Sequence, residues 1–159
     1  MNKVYILLGS NMGNSQQQFI LAKKHIEKKI GPIIRQSNIY KTAAWGNIKQ
    51  ADFLNQVIVI KTKYNASATL EIFLKIEKIL GRIRTEKNAP RPIDIDILFF
   101  NKDIIQTKNL IVPHPALQNR RFTLIPLNQL SPSFIHPVLN KTIHQILLDC
   151  PDKLAVKKI

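Results

Sequence analysis

The order of apolar segments along the chain constrains the fold more than any other feature. Four short runs have the composition of buried strands, and they occupy residues 4–8, 33–40, 53–64 and 93–100. Two longer segments place apolar residues at helical spacing, at residues 16–30 and 67–80. Strands are recognised by short β-branched or apolar runs and helices by a period near 3.6. The predicted order is therefore β-α-β-β-α-β, which indicates a ferredoxin-like α+β fold with an antiparallel sheet and helices on one face.

The remaining segments fit around this order as loops and a C-terminal extension. Residues 41–52 and 82–91 have no clean period and are predicted to be loops, whereas residues 103–112 resemble a short hairpin. Proline-punctuated helical turns and a helix at 142–150 follow. A chain of 159 residues can bury a core without disulfides or a structural metal. Because neither a linker nor a repeat interrupts it, we predict one domain over residues 1–159.

Charge and cysteine usage narrow the class of protein. The chain has 24 basic and 10 acidic residues, a net charge of +14, which favours an anionic partner or substrate. Scattered surface lysines would give the same total without any ligand. Cys150 is the single cysteine, which indicates a reducing, cytoplasmic setting. The apolar run at residues 4–8 is too short for a membrane span, so no membrane association is predicted.

Two aspartates interrupt the apolar strand IDIDILFF at residues 93–100. Residues two apart on a strand point to the same face, so Asp94 and Asp96 project together while Ile93, Ile95 and Ile97 point the other way. Two neighbouring carboxylates repel each other unless a cation lies between them. Mg²⁺ binds such carboxylates and completes its coordination with phosphate oxygens. The alternative is that both aspartates face water on an exposed sheet face.

Arginines surround the two aspartates in the sequence. Arg91 precedes the pair, Arg82 and Arg84 open the preceding loop, and His114 and Arg120 follow in PHPALQNRRF. Guanidinium groups match phosphate oxygens and stay charged at any working pH, so the group predicts a site for Mg²⁺ and a polyphosphate. Taken singly, each arginine is equally well explained by a surface ion pair.

A few further side chains are candidates for binding or for positioning. Phe53 and Asn55 lie two residues apart on a predicted strand, and Phe122 follows the arginines. An amide beside aromatic faces suits a flat heterocycle, although such aromatics are more often core residues. Glu77 lies on the apolar stripe of its helix and needs a partner, for which we predict an arginine of the following loop.

Several classes of function remain open on the residues alone. The chain has no GxxxxGK[ST] phosphate-binding loop, so side chains and a metal must bind any phosphate. A ferredoxin-like module that binds nucleic acid would explain the charge, but it is typically built with aromatics in its central strands. A metal-dependent nuclease or nucleotidyltransferase that uses the two aspartates is the other alternative.

Long motifs of the chain resemble the 6-hydroxymethyl-7,8-dihydropterin pyrophosphokinase family of folate biosynthesis, over nearly the full length. The most specific are PR-x-IDIDIL and PHP-x₄-RRF-x-L-x-PL, and the others are LGSNMGN, YKTAAWG, FLNQVIVI, IEKILGRIR and SPSFIHP. The resemblance implies a monomer that transfers pyrophosphate from ATP to the hydroxymethyl group of the pterin and releases AMP. It implies small-molecule substrates and no nucleic acid.

The resemblance also implies a role for individual residues. Asp94 and Asp96 would hold two Mg²⁺ ions, and Asp96 or a metal-bound oxygen would take the hydroxyl proton. Arg82 and Arg91 would join Asp96 as catalytic residues. The ATP-binding residues would be Glu77, Arg82, Arg84, Arg91, Ile97, Ile111, His114 and Arg120. The pterin-binding residues would be Thr42, Ala43, Trp45, Phe53, Asn55 and Phe122.

The chain departs from the family pattern at a few positions. Residues 87–91 read KNAPR where many members have RWGPR, so this loop lacks the tryptophan of those members. Ala44 replaces a proline, Phe53 replaces a tyrosine that many members have, and Asn109 lies where some members have an arginine.

Overall fold

A central antiparallel sheet organises the molecule in the computed structural model, which describes residues 1–43, 51–83 and 90–159. The strands are β1 (Asn2–Ser10), β2 (Ile33–Gln36), β3 (Tyr40–Thr42), β4 (Phe53–Thr62), β5 (Asp94–Phe100), β6 (Ile105–Gln106), β7 (Ile111–Val112) and β8 (Val156–Lys158). The helices are α1 (Ser15–Lys29), α2 (Ala66–Ile79), α3 (Arg121–Leu130) and α4 (Ile143–Leu148), with a 3₁₀ turn at Leu117–Asn119. The predicted strands and helices are therefore present, except that the predicted strand 33–40 is divided into β2 and β3, and β3 extends to Thr42 in the predicted loop.

The strand order of the main sheet is β5-β1-β4-β3-β8, and β2 pairs with β4 beside β3. Neighbouring strands are antiparallel throughout this order. The register places Gly9 of β1 between Asp94 of β5 and Asn55 of β4. Leu7 lies opposite Asp96 in the same way. Residues from segments far apart in the sequence thereby form one row across the sheet.

Asparagine side chains begin the two long helices. The side chain of Asn14 accepts a hydrogen bond from the Gln17 N–H, and that of Asn65 accepts one from the Ala68 N–H. Each bond satisfies a donor that the first turn of a helix leaves unpaired. Helix α2 is followed by Gly81, whose φ of 94° is readily adopted only by glycine. Arg82 follows at once, so this turn determines where its side chain begins.

Helices cover both faces of the sheet, which corrects the prediction that they lie on one face. Val4, Ile6 and Leu8 of β1 pack in one apolar cluster with residues of α1 and α2. Tyr5 and Leu7 point the other way and pack in a second cluster with residues of α3 and α4. The prediction holds for α1 and α2 only. The physical reason is that β1 carries apolar side chains on both faces, so helices must pack on each face to bury them.

A β-bulge interrupts the alternation of β5. Ile6 pairs with Ile97 and Tyr5 pairs with Phe99, which leaves Leu98 without a partner in β1. Leu98 and Phe99 consequently both contribute to the cluster on the α3 and α4 side. The carbonyl of Leu98 accepts a hydrogen bond of 3.0 Å from the His114 N–H. The bulge thus attaches the PHP segment to the strand that carries the two aspartates.

The C-terminal residues add a strand that the sequence did not predict. β8 pairs with β3, with Thr42 opposite Val156 and Tyr40 opposite Lys158. The N–H of Ile159 also donates to the carbonyl of Ile39 at 3.0 Å. Among the residues that the structure describes, no helix is long and apolar enough to cross a membrane.

Candidate active site

A pocket opens on the α3 side of the sheet, where β1, β4 and β5 come together. It is lined by Leu7, Gly9, Thr42, Ala43, Phe53, Asn55, Arg91, Asp94, Asp96, Arg120 and Phe122. The two predicted metal ligands, two of the predicted arginines and five of the six predicted pterin-binding residues are in this set. The structure therefore brings acidic, basic and aromatic side chains from distant segments into one site.

Leu7 and Gly9 are the two lining residues that sequence reasoning missed. Both lie on β1, directly opposite the two aspartates. A Cβ atom at position 9 would lie 3.0 Å from Nδ2 of Asn55, so a larger residue would press on that amide. The alternation of VYILLGS contained the signal, because residues 5, 7 and 9 share one face of a strand. It could be used only once the pairing with β5 was known.

Asp94 is held between two arginines. Its Oδ1 accepts a hydrogen bond of 2.7 Å from Nη1 of Arg82, and its Oδ2 accepts one of 3.1 Å from Nη1 of Arg91. The two guanidinium side chains are only 12% and 16% exposed. Arg82 also donates to the carbonyl of Ile93 at 3.1 Å. Hydrogen bonds between charged groups that are largely shielded from solvent are stronger than ion pairs on the surface. The three side chains therefore form a fixed unit.

Asp96 lies beside this unit in a different environment. Burial first of all, and then the neighbouring negative charges of Asp94 and Glu77, raise the pKa of its carboxyl group to about 8, against the opposing charges of Arg120 and Arg82. A cation between the two aspartates would reverse this balance and favour the ionised form. The environment of Asp96 therefore fits a carboxylate that binds a metal ion.

Glu77 connects helix α2 to strand β5 below the pocket. Its side chain is 3% exposed, and Oε2 accepts a hydrogen bond of 2.8 Å from the Ile95 N–H. Nη1 of Arg82 lies 3.7 Å from the same oxygen. The predicted contact with an arginine of the following loop is thus present, although the backbone of β5 is the nearer partner. Glu77 does not line the pocket, and its role in ATP binding stays a prediction.

His114 lies beside the pocket as a neutral imidazole. Burial, together with the charge of Arg120, lowers its pKa to about 4, against the opposing effect of Asp94. Its Nδ1 accepts a hydrogen bond of 3.1 Å from the Ala116 N–H. A ring that accepts at Nδ1 carries its proton on Nε2. His114 can therefore donate one hydrogen bond to an anion without adding a charge.

Two aromatic rings and an amide form the other part of the pocket. The guanidinium carbon of Arg91 lies 5.2 Å from the centre of the Phe53 ring, and that of Arg120 lies 5.7 Å from the Phe122 ring. Nδ2 of Asn55 donates to the carbonyl of Leu8 at 3.3 Å. Within the described part of the chain, the buried Oδ1 of Asn55 has no hydrogen-bond partner. A flat ligand with an N–H donor at its edge would satisfy it.

Some predicted residues lie elsewhere. Ile97 is 4% exposed and belongs to the core on the α1 and α2 side, and Ile111 is 47% exposed on β7. Trp45 and Arg84 fall outside the described residues, as do the departures at Ala44 and at residues 87–89. The roles of all these residues stay predictions. Over residues 1–43, 51–83 and 90–159, no group of three or more His, Cys, Asp and Glu side chains could hold a metal by itself.

Curated relatives resemble the chain over most of its length. It is 39% identical over 145 residues to the 2-amino-4-hydroxy-6-hydroxymethyldihydropteridine pyrophosphokinase of Aquifex aeolicus, which covers 91% of this chain and 90% of that protein. It is 41% identical to the Bacillus subtilis protein of the same name, over 81% of this chain and 78% of that one. It is 36% identical to the folic acid synthesis protein FOL1 of Dictyostelium discoideum, but spans only 23% of that protein.

Solved structures and a family model agree with these relatives. The wild-type HPPK-DHPS protein of Plasmodium falciparum with pteroate superposes with a TM-score of 0.76 at 20% identity, over 93% of this chain and 42% of that one. At this identity the likeness concerns the fold alone. The model of the 7,8-dihydro-6-hydroxymethylpterin-pyrophosphokinase (HPPK) family matches residues 5–132, which is most of the chain. The chain belongs to this pyrophosphokinase family.

Proposed function

We propose that the chain transfers pyrophosphate from ATP to the hydroxymethyl group of 6-hydroxymethyl-7,8-dihydropterin, in a step of folate biosynthesis that releases AMP. One observation carries the proposal: a single pocket combines Asp94, Asp96 and two arginines with a second group, Phe53, Asn55 and Phe122. The first group suits a polyphosphate and the second suits a flat heterocycle. The relatives named as pyrophosphokinases support the same activity.

The fold that we propose for this activity is ferredoxin-like with a C-terminal extension, in one domain over residues 1–159. Counting β2 and β3 as one interrupted strand, the core order β5-β1-β4-β3 supports this topology. The extension supplies α3 and α4, which cover the second face of the sheet. In this arrangement the extension is part of the site, because Arg120 and Phe122 line the pocket.

The cofactor that we propose is Mg²⁺, as two ions held by Asp94 and Asp96. The paired carboxylates and the raised pKa of Asp96 support a cation at this place. When bound, Mg²⁺ neutralises phosphate charge and aligns a phosphate chain for in-line displacement. Two carboxylates are enough for Mg²⁺, which completes its coordination with water and phosphate oxygens.

The side chains of the pocket would then act mainly by positioning and by charge. Arg82 and Arg91 are fixed by Asp94, and Arg91, which lines the pocket, would present further N–H donors to the phosphates, with Arg82 adding positive charge behind Asp94. Arg120 adds positive charge and neutral His114 a single donor at Nε2, so both would bind ATP. Phosphoryl transfer relies on such positioning and charge neutralisation rather than on covalent catalysis. Asp96 is the carboxylate of the pocket that could accept the hydroxyl proton.

The pterin would lie between Phe53 and Phe122. Asn55 would accept a hydrogen bond from an N–H of the pterin with its unpartnered Oδ1, and the segment of Thr42 and Ala43 would border the ring.

The cellular setting and the oligomeric state are further proposals. A cytoplasmic setting rests on the buried free thiol of Cys150. A monomer that binds neither nucleic acid nor a membrane rests on the family resemblance and on a pocket suited to small molecules.

The proposal is tested by mixing the protein with Mg²⁺, ATP and hydroxymethyl-dihydropterin and measuring AMP by chromatography. We expect AMP and the pterin diphosphate in equal amounts, and loss of both when EDTA is added. Asp94→Asn and Asp96→Asn should each reduce turnover by at least about a hundredfold. Asp103→Asn, which changes an exposed acid of the turn after β5, should not.

Other results would favour the alternative functions. Absence of AMP together with tight, salt-dependent binding of RNA would support a nucleic-acid-binding module. Release of pyrophosphate from ATP, with the nucleotide transferred to an acceptor, would support a nucleotidyltransferase. Either result would overturn the proposed reaction.

A further inference from the structure

An aspartate outside the pocket supplies the hydrogen bond at the start of helix α3. The residue before this helix, Arg120, makes no capping hydrogen bond with its side chain. Instead, Oδ2 of Asp152 accepts a hydrogen bond of 3.0 Å from the Arg121 N–H. A carboxylate is favourable here, because the first turn of a helix has unpaired N–H groups and the positive end of the helix dipole. A residue far along the chain thus performs the role of an N-cap.

The same carboxylate also shapes the segment that leads into β8. Its Oδ1 accepts a hydrogen bond of 3.0 Å from the Leu154 N–H, two residues further on, as in an Asx turn. The next residue, Ala155, accepts a hydrogen bond of 3.1 Å from Oγ1 of Thr42. Strand β8 then pairs with β3. Asp152 is therefore connected to β3 as well as to α3.

These two connections end at two walls of the pocket, one formed by the start of α3 and the other by the end of β3. Helix α3 carries Phe122, and β3 ends at Thr42, and both residues line the pocket. Asp152 is 9% exposed and is not among the lining residues. Its two oxygens are used at the same time, one for each wall. Asp152 therefore contributes to the separation between Phe122 and Thr42 from outside the pocket, together with the direct hydrogen bond of 2.8 Å that the Tyr40 hydroxyl of β3 donates to Oε1 of Gln129 in α3.

Arg120 has backbone hydrogen bonds in addition to the one that Asp152 makes with the next residue. Its N–H donates to the carbonyl of Leu117 at 3.3 Å, within the 3₁₀ turn, and its own carbonyl accepts from Thr123 and Leu124 at 3.1 Å. The Arg120 carbonyl and the Arg121 N–H belong to one peptide unit, and the bonds from Thr123 and Leu124 would still hold this unit in a variant at Asp152. A change at Asp152 should therefore affect the walls around the heterocycle more than the arginine on the phosphate side.

We propose that Asp152 is a positioning residue that fixes the two walls of the pterin part of the pocket. In naming the pterin, the inference rests on the proposed function. Its effect on the ligand is indirect, through the backbone of Arg121 and through β8. The consequence is that Asp152 determines the affinity for the pterin and leaves the binding of ATP largely unchanged.

The test compares Asp152→Ala and Asp152→Asn with a matched control, Asp149→Ala. Asp149 lies three residues earlier and is 68% exposed, paired only with Lys141 at 3.5 Å among the described residues. All proteins are assayed well below their melting temperatures, so that loss of folded protein does not enter. We expect Asp152→Ala to raise KM for the pterin by about tenfold, because it removes two hydrogen bonds to a charged acceptor. KM for ATP should change by less than about twofold, and Asp149→Ala should behave as wild type.

The asparagine variant separates positioning from loss of stability. An amide keeps one acceptor oxygen, so Asp152→Asn should recover part of the pterin affinity. A merely structural role would instead lower the melting temperature of Asp152→Ala while leaving both KM values unchanged. That outcome, or an equal rise of both KM values, would overturn the inference.

Hydrogen exchange keeps the inference independent of the reaction. If the wild-type protein makes no AMP, the proposed function fails. The effect of Asp152 on the two walls can still be measured, because amide exchange in β3 needs no substrate. Asp152→Ala should increase amide exchange in β3, at Tyr40–Thr42, although the hydrogen bonds that the structure shows for the Asp152 carboxylate go to Arg121 and Leu154 and not to this strand. Asp149→Ala should leave that exchange unchanged. Unaltered exchange in β3 of Asp152→Ala would contradict the connection between the two walls.

Discussion

At the scale of single residues, two aspartates on one strand face have different environments. Asp94 is held by two guanidinium groups, whereas burial and neighbouring negative charge raise the pKa of Asp96 to about 8. The sequence predicted that they share a face, because that follows from the period of a strand. It could not predict which of them the arginines hold, since Arg82 and Arg91 reach Asp94 through loop geometry. The environment of each carboxylate is therefore a tertiary property.

His114 gives a prediction for the dependence of stability on pH. Its pKa is about 4 in the folded chain and near 6.5 when the imidazole is free in water. Between these values the unfolded chain binds more protons, so the free energy of unfolding must fall as the pH falls from 6.5 to 4. The loss should be on the order of 3 kcal/mol, and it should level off below the folded pKa.

This loss is measured by urea unfolding at several pH values between 4 and 7. His114→Asn keeps an acceptor for the Ala116 N–H but does not titrate, so its stability should vary less over this range. The control is His144→Asn, which changes an exposed histidine of α4 and should keep the wild-type slope. If the free energy of unfolding depended on pH equally in the wild type and in His114→Asn, His114 would not be the cause of the loss of stability.

At the scale of elements, the long and strongly patterned segments were predictable, and the short ones were not. Helices α1 and α2 have full apolar stripes, and β1, β4 and β5 have apolar runs that only a sheet interior accommodates. Strand β8 has the sequence Val-Lys-Lys, which contains no such signal, and it forms because β3 offers an unpaired edge. The bulge at Leu98 also escapes prediction, because it depends on the register between β5 and β1.

The contact of helix α2 with β5 gives a prediction for stability. Glu77→Ala removes the acceptor of the Ile95 N–H and leaves this buried group unpaired. We expect the free energy of unfolding to fall by about 2–4 kcal/mol, which is typical of a buried charged hydrogen bond. Glu77→Gln retains an acceptor oxygen and should lose less than half of that amount. Urea unfolding measures both.

Glu71→Ala is the matched control for this prediction, because Glu71 is an exposed acid of the same helix. It should change the free energy of unfolding by less than about 0.5 kcal/mol. The prediction would be wrong if Glu77→Ala were as stable as Glu71→Ala, since the Ile95 N–H would then have another partner available.

At the scale of the whole molecule, helices pack on both faces of the sheet, and the site lies beside the start of α3 on one of these faces. The continuous apolar runs VYILL and VIVI were the sequence signal for two covers, because a strand with one wet face alternates instead. The core order nevertheless suggested helices on a single face. Leu7 and Gly9 line the pocket because they lie opposite the aspartates of β5 and because α3 lies on the same face, with Arg120 and Phe122 at its start.

The net charge of the molecule gives the last prediction. A chain of charge +14 attracts a polyphosphate over distances longer than a contact, whereas a neutral pterin does not respond to this field. Added salt screens the attraction, since the Debye length falls to below about 8 Å above physiological ionic strength. We expect kcat/KM for ATP to fall by roughly threefold or more between about 50 and about 300 mM potassium acetate, at constant free Mg²⁺. Over the same range, kcat/KM for the pterin at saturating ATP should change much less, and this second substrate serves as the control within each experiment. Equal losses for both substrates would mean that salt acts on the folded protein as a whole, and that the basic surface has no part in attracting ATP.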